Sequence, residues 1–217
     1  DDLGNLHEEV CLHLRVEVPE GAEIDSEDAN HRAWSVAAVF DRSSWEVVAE
    51  LRLRCDPGEF GRMMCELGEY YKWALLIPEA NNHGAATIEA IKAESYPHLL
   101  QTTELWPDEP KRAGFPTTSK TKSLILTALR HSINDGSYKE NSTVAIEEMQ
   151  GASFSDNGDM VSEGGFLDCV ITRAIGLYSL KFLSLDETNK NVDDDWRSGA
   201  SGRTIVRRKN FGRVRAA

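Results

Sequence analysis

Leu12, Leu14, Val16 and Val18 alternate with His13, Arg15 and Glu17, which predicts a strand with one apolar and one polar face. A polar, acid-rich loop follows over residues 19–32. Two further apolar runs, 34–40 and 45–54, flank the tight turn Asp41-Arg-Ser-Ser44. The three together predict an antiparallel meander.

The period then becomes helical. Asp56, Pro57 and Glu59 form a helix-start signature: an aspartate to cap, a proline for the first helical position and an acid three beyond the cap. Phe60, Met63, Met64, Leu67, Tyr70 and Tyr71 recur at helical spacing as its buried face. The run Ala74-Leu-Leu-Ile77 predicts a buried strand, and Asn81, Asn82 and Gly84 stop it. Ala86, Ile88, Ala90 and Ile91 then predict a helix, so Glu79 falls in a strand-to-helix turn. In open α/β sheets that edge is where reacting groups gather.

Residues 99–105 predict another strand. Residues 106–118 hold three prolines and predict a long loop. A strong helix spans 119–135, apolar at Leu124, Ile125, Ala128, Leu129 and Ile133, and Gly136 ends it. A short helix near 143–149, a hairpin over 153–162 turning at Asp156-Asn157-Gly158, and a helix over 167–183 complete the folded part. Residues 186–217 run acidic, then Gly/Ser-rich, then basic, with no core pattern; a flexible tail is expected after a domain of residues 1–185. The periodicity predicts a single α/β domain.

Hydrophobic content of 41% supports a real core, and no apolar run reaches membrane-helix length. No basic, apolar leader opens the sequence, so no secretion is expected. Cys11, Cys55, Cys65 and Cys169 lie far apart without a C-x-x-C pair and predict buried free thiols. The net charge is −12, yet six basic and no acidic residues follow position 202, so the rest of the chain is six charges more acidic still. Bulk attraction to nucleic acid is excluded; contact with DNA has to be local, or helped by metal ions. No glycine-rich nucleotide-phosphate loop is present.

The segment Leu75-Leu-Ile-Pro-Glu79-Ala-Asn-Asn-His83-Gly84 followed by a helix resembles the nuclease domain of the large terminase subunit of tailed bacteriophages. The resemblance extends over roughly residues 14–178. Glu17-Val-Pro-Glu20-Gly21 stands where that family ends its first strand in an acid. Trp34-Ser-Val-Ala-Ala-Val-Phe-Asp41 matches its second strand, Thr117-Thr-Ser-Lys120-Thr-Lys122 the segment before a long helix, and Phe166-Leu167-Asp168 the closing acid motif.

The resemblance implies an RNase H-like mixed sheet with an antiparallel three-strand meander, flanked by helices. It also implies a metal-dependent endonuclease cutting double-stranded DNA during genome packaging. Glu17, Glu79 and Asp168 would hold two Mg²⁺ or Mn²⁺ ions, since such chemistry needs carboxylates converging from different elements. Lys120, Lys122 and His83 are candidate DNA contacts. The implied partners are DNA, the terminase ATPase domain, the small terminase subunit and the portal protein, with no membrane, in the cytoplasm of the infected bacterium.

Two residues depart from the family: Glu17 is one methylene longer than an aspartate, and Leu167 replaces an acid, so weaker metal binding is expected. Other roles stay open. Glu17 can pair with Arg15, Glu79 can cap the following helix, and Asp168 can serve the helix dipole. Lys120 and Lys122 can be a solvated helix edge. The alternative function is a terminase-like domain that binds DNA or the portal without cutting; another RNase H-like enzyme, a transposase or junction resolvase, is a third.

Overall fold

The structure, a computed structural model, describes residues 10–16, 34–81, 83–154, 160–162, 167–183 and 215–216. Strands β1 (Val10–Val16), β2 (Ser35–Asp41) and β3 (Glu46–Leu53) pair antiparallel, with Val16 opposite Ser35 and Ser35 opposite Leu53. This is the expected meander. Strand β4 (Leu75–Pro78) joins the far side of β1 in parallel, with Leu14 opposite Pro78. The sheet order is therefore β4-β1-β2-β3, extended by the two-residue strand β7 (Arg215–Ala216) against Ala49 and Glu50. That strand is the described part of the basic tail.

Several turns and helix ends have a local chemical cause. Asp41 closes the first hairpin by accepting from the Ser43 N–H at 2.8 Å and the Ser44 hydroxyl at 2.9 Å, which outweighs burial and lowers its pKa. Helix α1 (Pro57–Tyr70) starts as the sequence predicts: Asp56 Oδ1 accepts from the N–H groups of Gly58, at 2.8 Å, and Glu59, at 3.2 Å. Helix α2 (His83–Ala93) follows β4, and α3 (Thr102–Leu105) is a single turn. Helix α4 (Ser119–Asp135) is capped by Thr118 and ends at Gly136, whose φ of 73° is left-handed. Helix α5 (Thr143–Gln150), the hairpin β5 (Ala152–Phe154) and β6 (Met160–Ser162), and helix α6 (Asp168–Phe182) complete the fold.

Three layers result. Alternate residues of β2 feed two cores: Ala38 and Phe40 meet α4 and α6 on one face, while Ala37 and Val39 meet α1 and α2 on the other. Burial on both faces explains why β2 reads as a continuous apolar run. Gly176 lets α6 settle on the sheet, because a Cβ there would lie 2.4 Å from the Phe40 ring.

Residues 99–105 do not form a strand. Leu99 and Gln101 make isolated bridges, and the segment then turns into α3. Glu104 reaches back to the Gln101 N–H at 2.8 Å, a local hydrogen bond that wins over strand pairing. Tyr70 (79% exposed), Leu124 (41%) and Ile133 (48%) lie outside the core despite their helical spacing. On α4 the buried stripe is Ile125, Leu126, Ala128, Leu129 and Ser132, so Leu126 and Ser132 take the places expected of Leu124 and Ile133.

Candidate functional site

Two of the three expected acids stand at one level of the sheet. Pro78 pairs with Leu14, and the next β1 residue, Arg15, pairs with Val36 of β2. Glu79 thus stands level with Val36. Asp168 opens α6, and its neighbour Cys169 packs against Val36 and Ala145, so Asp168 arrives at that same level. Alternation puts Glu79 on the face of Ile77, which belongs to the core under α6. Both carboxylates are buried, Glu79 to 8% exposure and Asp168 to 1%. Glu17 follows Val16, the end of β1, and lies outside the described residues.

The backbone around Glu79 is clamped. Phe115 N–H donates to the Pro78 carbonyl at 2.7 Å, and Ala80 N–H donates to the Phe115 carbonyl at 2.8 Å, so the 113–115 segment brackets Glu79. Two glycines permit this approach. A Cβ on Gly114, already at φ +86°, would lie 2.7 Å from the Pro78 oxygen, and one on Gly84 would lie 1.8 Å from the Glu79 oxygen. Gly84 of the Asn-Asn-His-Gly turn is therefore a packing requirement.

Asn81 acts on the carboxylate itself. Its Nδ2 donates to Glu79 Oε1 at 3.2 Å and to the Thr117 carbonyl at 2.8 Å. Both amide hydrogens have a use, and they tie the acid to the segment that opens α4. Sequence reasoning takes Asn81 only as a strand stop; its two-residue spacing from Glu79 was the available signal. Lys120, exposed, and Lys122, half-buried, lie in the first turn of that helix, whose N-terminal dipole also favours anions. His83 opens α2.

The far side of the site is held by α5 and the loop before it. Glu148 Oε2 accepts from the Cys169 N–H at 2.8 Å and so fixes the start of α6. One turn on, the fully buried Arg173 donates from Nε to Glu140 at 2.9 Å and pairs with Glu50 of β3; the Tyr138 hydroxyl also donates to Glu140. Burial alone would disfavour the Arg173 charge, but Glu140 and then Glu50 more than reverse this and raise its pKa. This network is invisible in the sequence because its members are up to 123 residues apart.

Chemically the edge suits a hard cation. The gathered donors are carboxylate oxygens, the ligand type of Mg²⁺ and Mn²⁺, and two buried carboxylates at one level of a sheet gain from a nearby positive charge. Among the described residues no group of three or more His, Cys, Asp or Glu side chains is placed to hold a metal ion. Leu167, in place of a second acid, is half-buried and packs against the core. Cys65 and Cys169 are buried free thiols, and burial pushes the Cys169 thiol upward, which suits a packed residue and not a nucleophile.

No protein-family model and no curated protein matches the sequence. Solved structures do. The large terminase nuclease of thermophilic phage G20c with bound cobalt matches at a TM-score of 0.58 and 16% identity, over 80% of this chain and 81% of that one. The same nuclease with bound magnesium gives 0.58 at 16% identity, over 81% and 82%. The large terminase nuclease domain of Thermus phage P74-26 gives 0.57 at 16% identity, over 82% of each chain. The chain has the fold of the large terminase nuclease domains, a mixed sheet with an antiparallel meander between helical layers.

Proposed function

We propose that this chain is a divalent-metal-dependent endonuclease that cuts double-stranded DNA during phage genome packaging. The observation that carries this reading is the delivery of Glu79 and Asp168, both buried, to one level and one face of a sheet edge, from elements 89 residues apart in the numbering. Glu17, next after β1, is the third acid. Structures of the same fold with cobalt and magnesium bound add support.

In this proposal Glu17, Glu79 and Asp168 hold the ions, Mg²⁺ or Mn²⁺ and two in number. When bound, they supply a Lewis acid for the phosphate and make the attacking water more acidic. The chain's own residues do the rest. Asn81 orients Glu79, the Glu148 contact fixes the start of α6 under Asp168, and Lys120 and Lys122 with His83 hold the DNA backbone, a role without sequence information. The partners would be the terminase ATPase domain, the small subunit and the portal, in the cytoplasm of the infected bacterium.

A plasmid-cutting assay with Mn²⁺ tests this. Wild type should nick and linearise, and Glu79→Ala should lose cutting while keeping its fold; equal cutting would remove Glu79 from the chemistry. Leu167 favours a second reading, a domain that binds DNA or the portal without cutting, because its side chain gives the acid's place to the core. Calorimetry separates the two: no heat with millimolar Mn²⁺ from a folded protein selects the second.

A further inference from the structure

The nuclease reading uses the first turn of α4 and leaves the rest of that helix unassigned. Buried Ile125, Leu126, Ala128, Leu129 and Ser132 seat α4 on the core. Opposite them, Lys120, Ser123, Thr127, Arg130 and Asn134 are all exposed. They recur at alternating spacings of three and four, so they form one ridge along the helix. Leu124, 41% exposed, and Ile133, 48% exposed, flank the ridge on either side. The ridge itself carries no apolar and no acidic side chain.

The charge of α4 is one-sided. No acid occurs from Ser119 to Asn134, in a chain with 36 Asp and Glu residues. Lys120 and Arg130 make no ion pair among the described residues. Asp135, which ends the helix, has its own partners: Ser137 first, whose N–H donates to it at 2.9 Å, then the charges of His131 and Lys181. The Thr127 hydroxyl donates within the helix, to the Ser123 carbonyl at 2.8 Å. The donors left for a ligand are therefore the side chains of Lys120, Ser123, Arg130 and Asn134. A cationic ridge without acids is the local contact by which a chain of net charge −12 can hold a polyanion.

The ridge starts beside Glu79. Asn81 ties Glu79 Oε1, at 3.2 Å, to the Thr117 carbonyl, at 2.8 Å, and α4 begins at Ser119. The ten residues from Lys120 to Arg130 rise about 15 Å along the helix. At about 3.4 Å per base pair, that is roughly four base pairs. Lysine, arginine, serine and asparagine side chains are the usual donors to phosphate oxygens, and such contacts position a duplex without reading its sequence. We propose that the exposed ridge of α4, from Lys120 to Asn134, is a track for the phosphate backbone of duplex DNA, with Arg130 holding it about four base pairs beyond Lys120. The proposal rests on the nuclease reading for its substrate.

The test is equilibrium binding of a fluorescent duplex in EDTA across a salt series. Arg130→Gln should make the log–log salt slope shallower by about one, and Lys120→Gln/Arg130→Gln by about two. Arg130→Lys keeps the charge and should keep the slope. Arg62→Gln is the control: that side chain is exposed on α1, which packs on the opposite face of the sheet, and its loss should change nothing. An unchanged slope in folded Arg130→Gln overturns the track, and so does an equal change in Arg62→Gln. If the double variant does not fold, Arg130→Gln alone decides. Wild type that cuts DNA beside an unchanged Arg130→Gln slope sinks the track and spares the nuclease. A slope that falls as expected, from a wild type that never cuts, supports the track and removes the nuclease. A wild type that binds no duplex removes both.

Discussion

Gly84 lies against the main-chain carbonyl of Glu79 so closely that a methyl group there would stand 1.8 Å from the oxygen. The turn after β4 and the position of the acid are thus one packing problem. Gly84→Ala has to push the 79–84 turn outward, at about 1–3 kcal/mol for an overpacked site. Thermal denaturation should show the loss, and calorimetry should show Mn²⁺ affinity falling with it. A variant of wild-type stability and affinity would mean that the turn relaxes freely.

Asn81 is exposed, so its loss should cost little stability, within about 0.5 kcal/mol. Its amide nevertheless donates to Glu79 at 3.2 Å and to Thr117 at 2.8 Å. Groups that orient a ligand carboxylate are worth about tenfold to a hundredfold in metal affinity. Asn81→Ala should therefore weaken Mn²⁺ binding on that scale at unchanged Tm. Asn81→Asp should be worse, because it sets a second negative charge beside Glu79 and cannot donate to the Thr117 carbonyl. Equal Mn²⁺ affinity in all three proteins would refute the orienting role.

Local chemistry was readable from the sequence wherever it was settled within a few residues. The Asp56-Pro57 helix start, the Gly136 stop and the apolar run of β2 all follow from short-range pattern, and each is observed. The strand expected over 99–105 failed because a Glu104-to-Gln101 bond is also local and competes with pairing. Tyr70 and Ile133 failed because a helix's buried stripe is set by what packs on it. Glu79 and Asp168 were legible as acids beside turns; their common level depends on strand register, which no periodicity encodes. Glu17 lies outside the described residues.

Arg173 is buried with Glu140 and Glu50 as counter-charges, and its removal strands both. Breaking such a pair from one side costs about 3–5 kcal/mol, whereas removing the charges together can be near neutral. Arg173→Met should lose stability on that scale in urea denaturation. Arg173→Met with Glu50→Gln and Glu140→Gln should recover most of it. Because Arg173 lies on the same helix about a turn and a half from Asp168, the single variant should also bind Mn²⁺ more weakly, and the triple variant should regain affinity. A single variant as stable as wild type would show that water replaces the guanidinium.

The other core predicts an alkaline limit. Cys65 of α1 is 4% exposed, and burial, with Glu94, Glu69 and Glu66 adding like charge, pushes its thiol up to about 12 from 9.0. Burial likewise raises the Tyr96 hydroxyl, which donates to the Ala74 carbonyl at 2.7 Å. In both groups the fold favours the neutral form, so the unfolded chain ionises first. Their contribution is complete below the unfolded thiol value of 9.0 and drains away as pH rises from there toward about 12. Tm should stay level up to about pH 8.5 and fall above about pH 9. Cys65→Ala should make the fall above about pH 9 shallower without moving its onset, because the Cys169 thiol, also raised by burial, still ionises first in the unfolded chain. A wild-type Tm unchanged between about pH 8 and about pH 10.5 would show that neither group is held neutral by the fold.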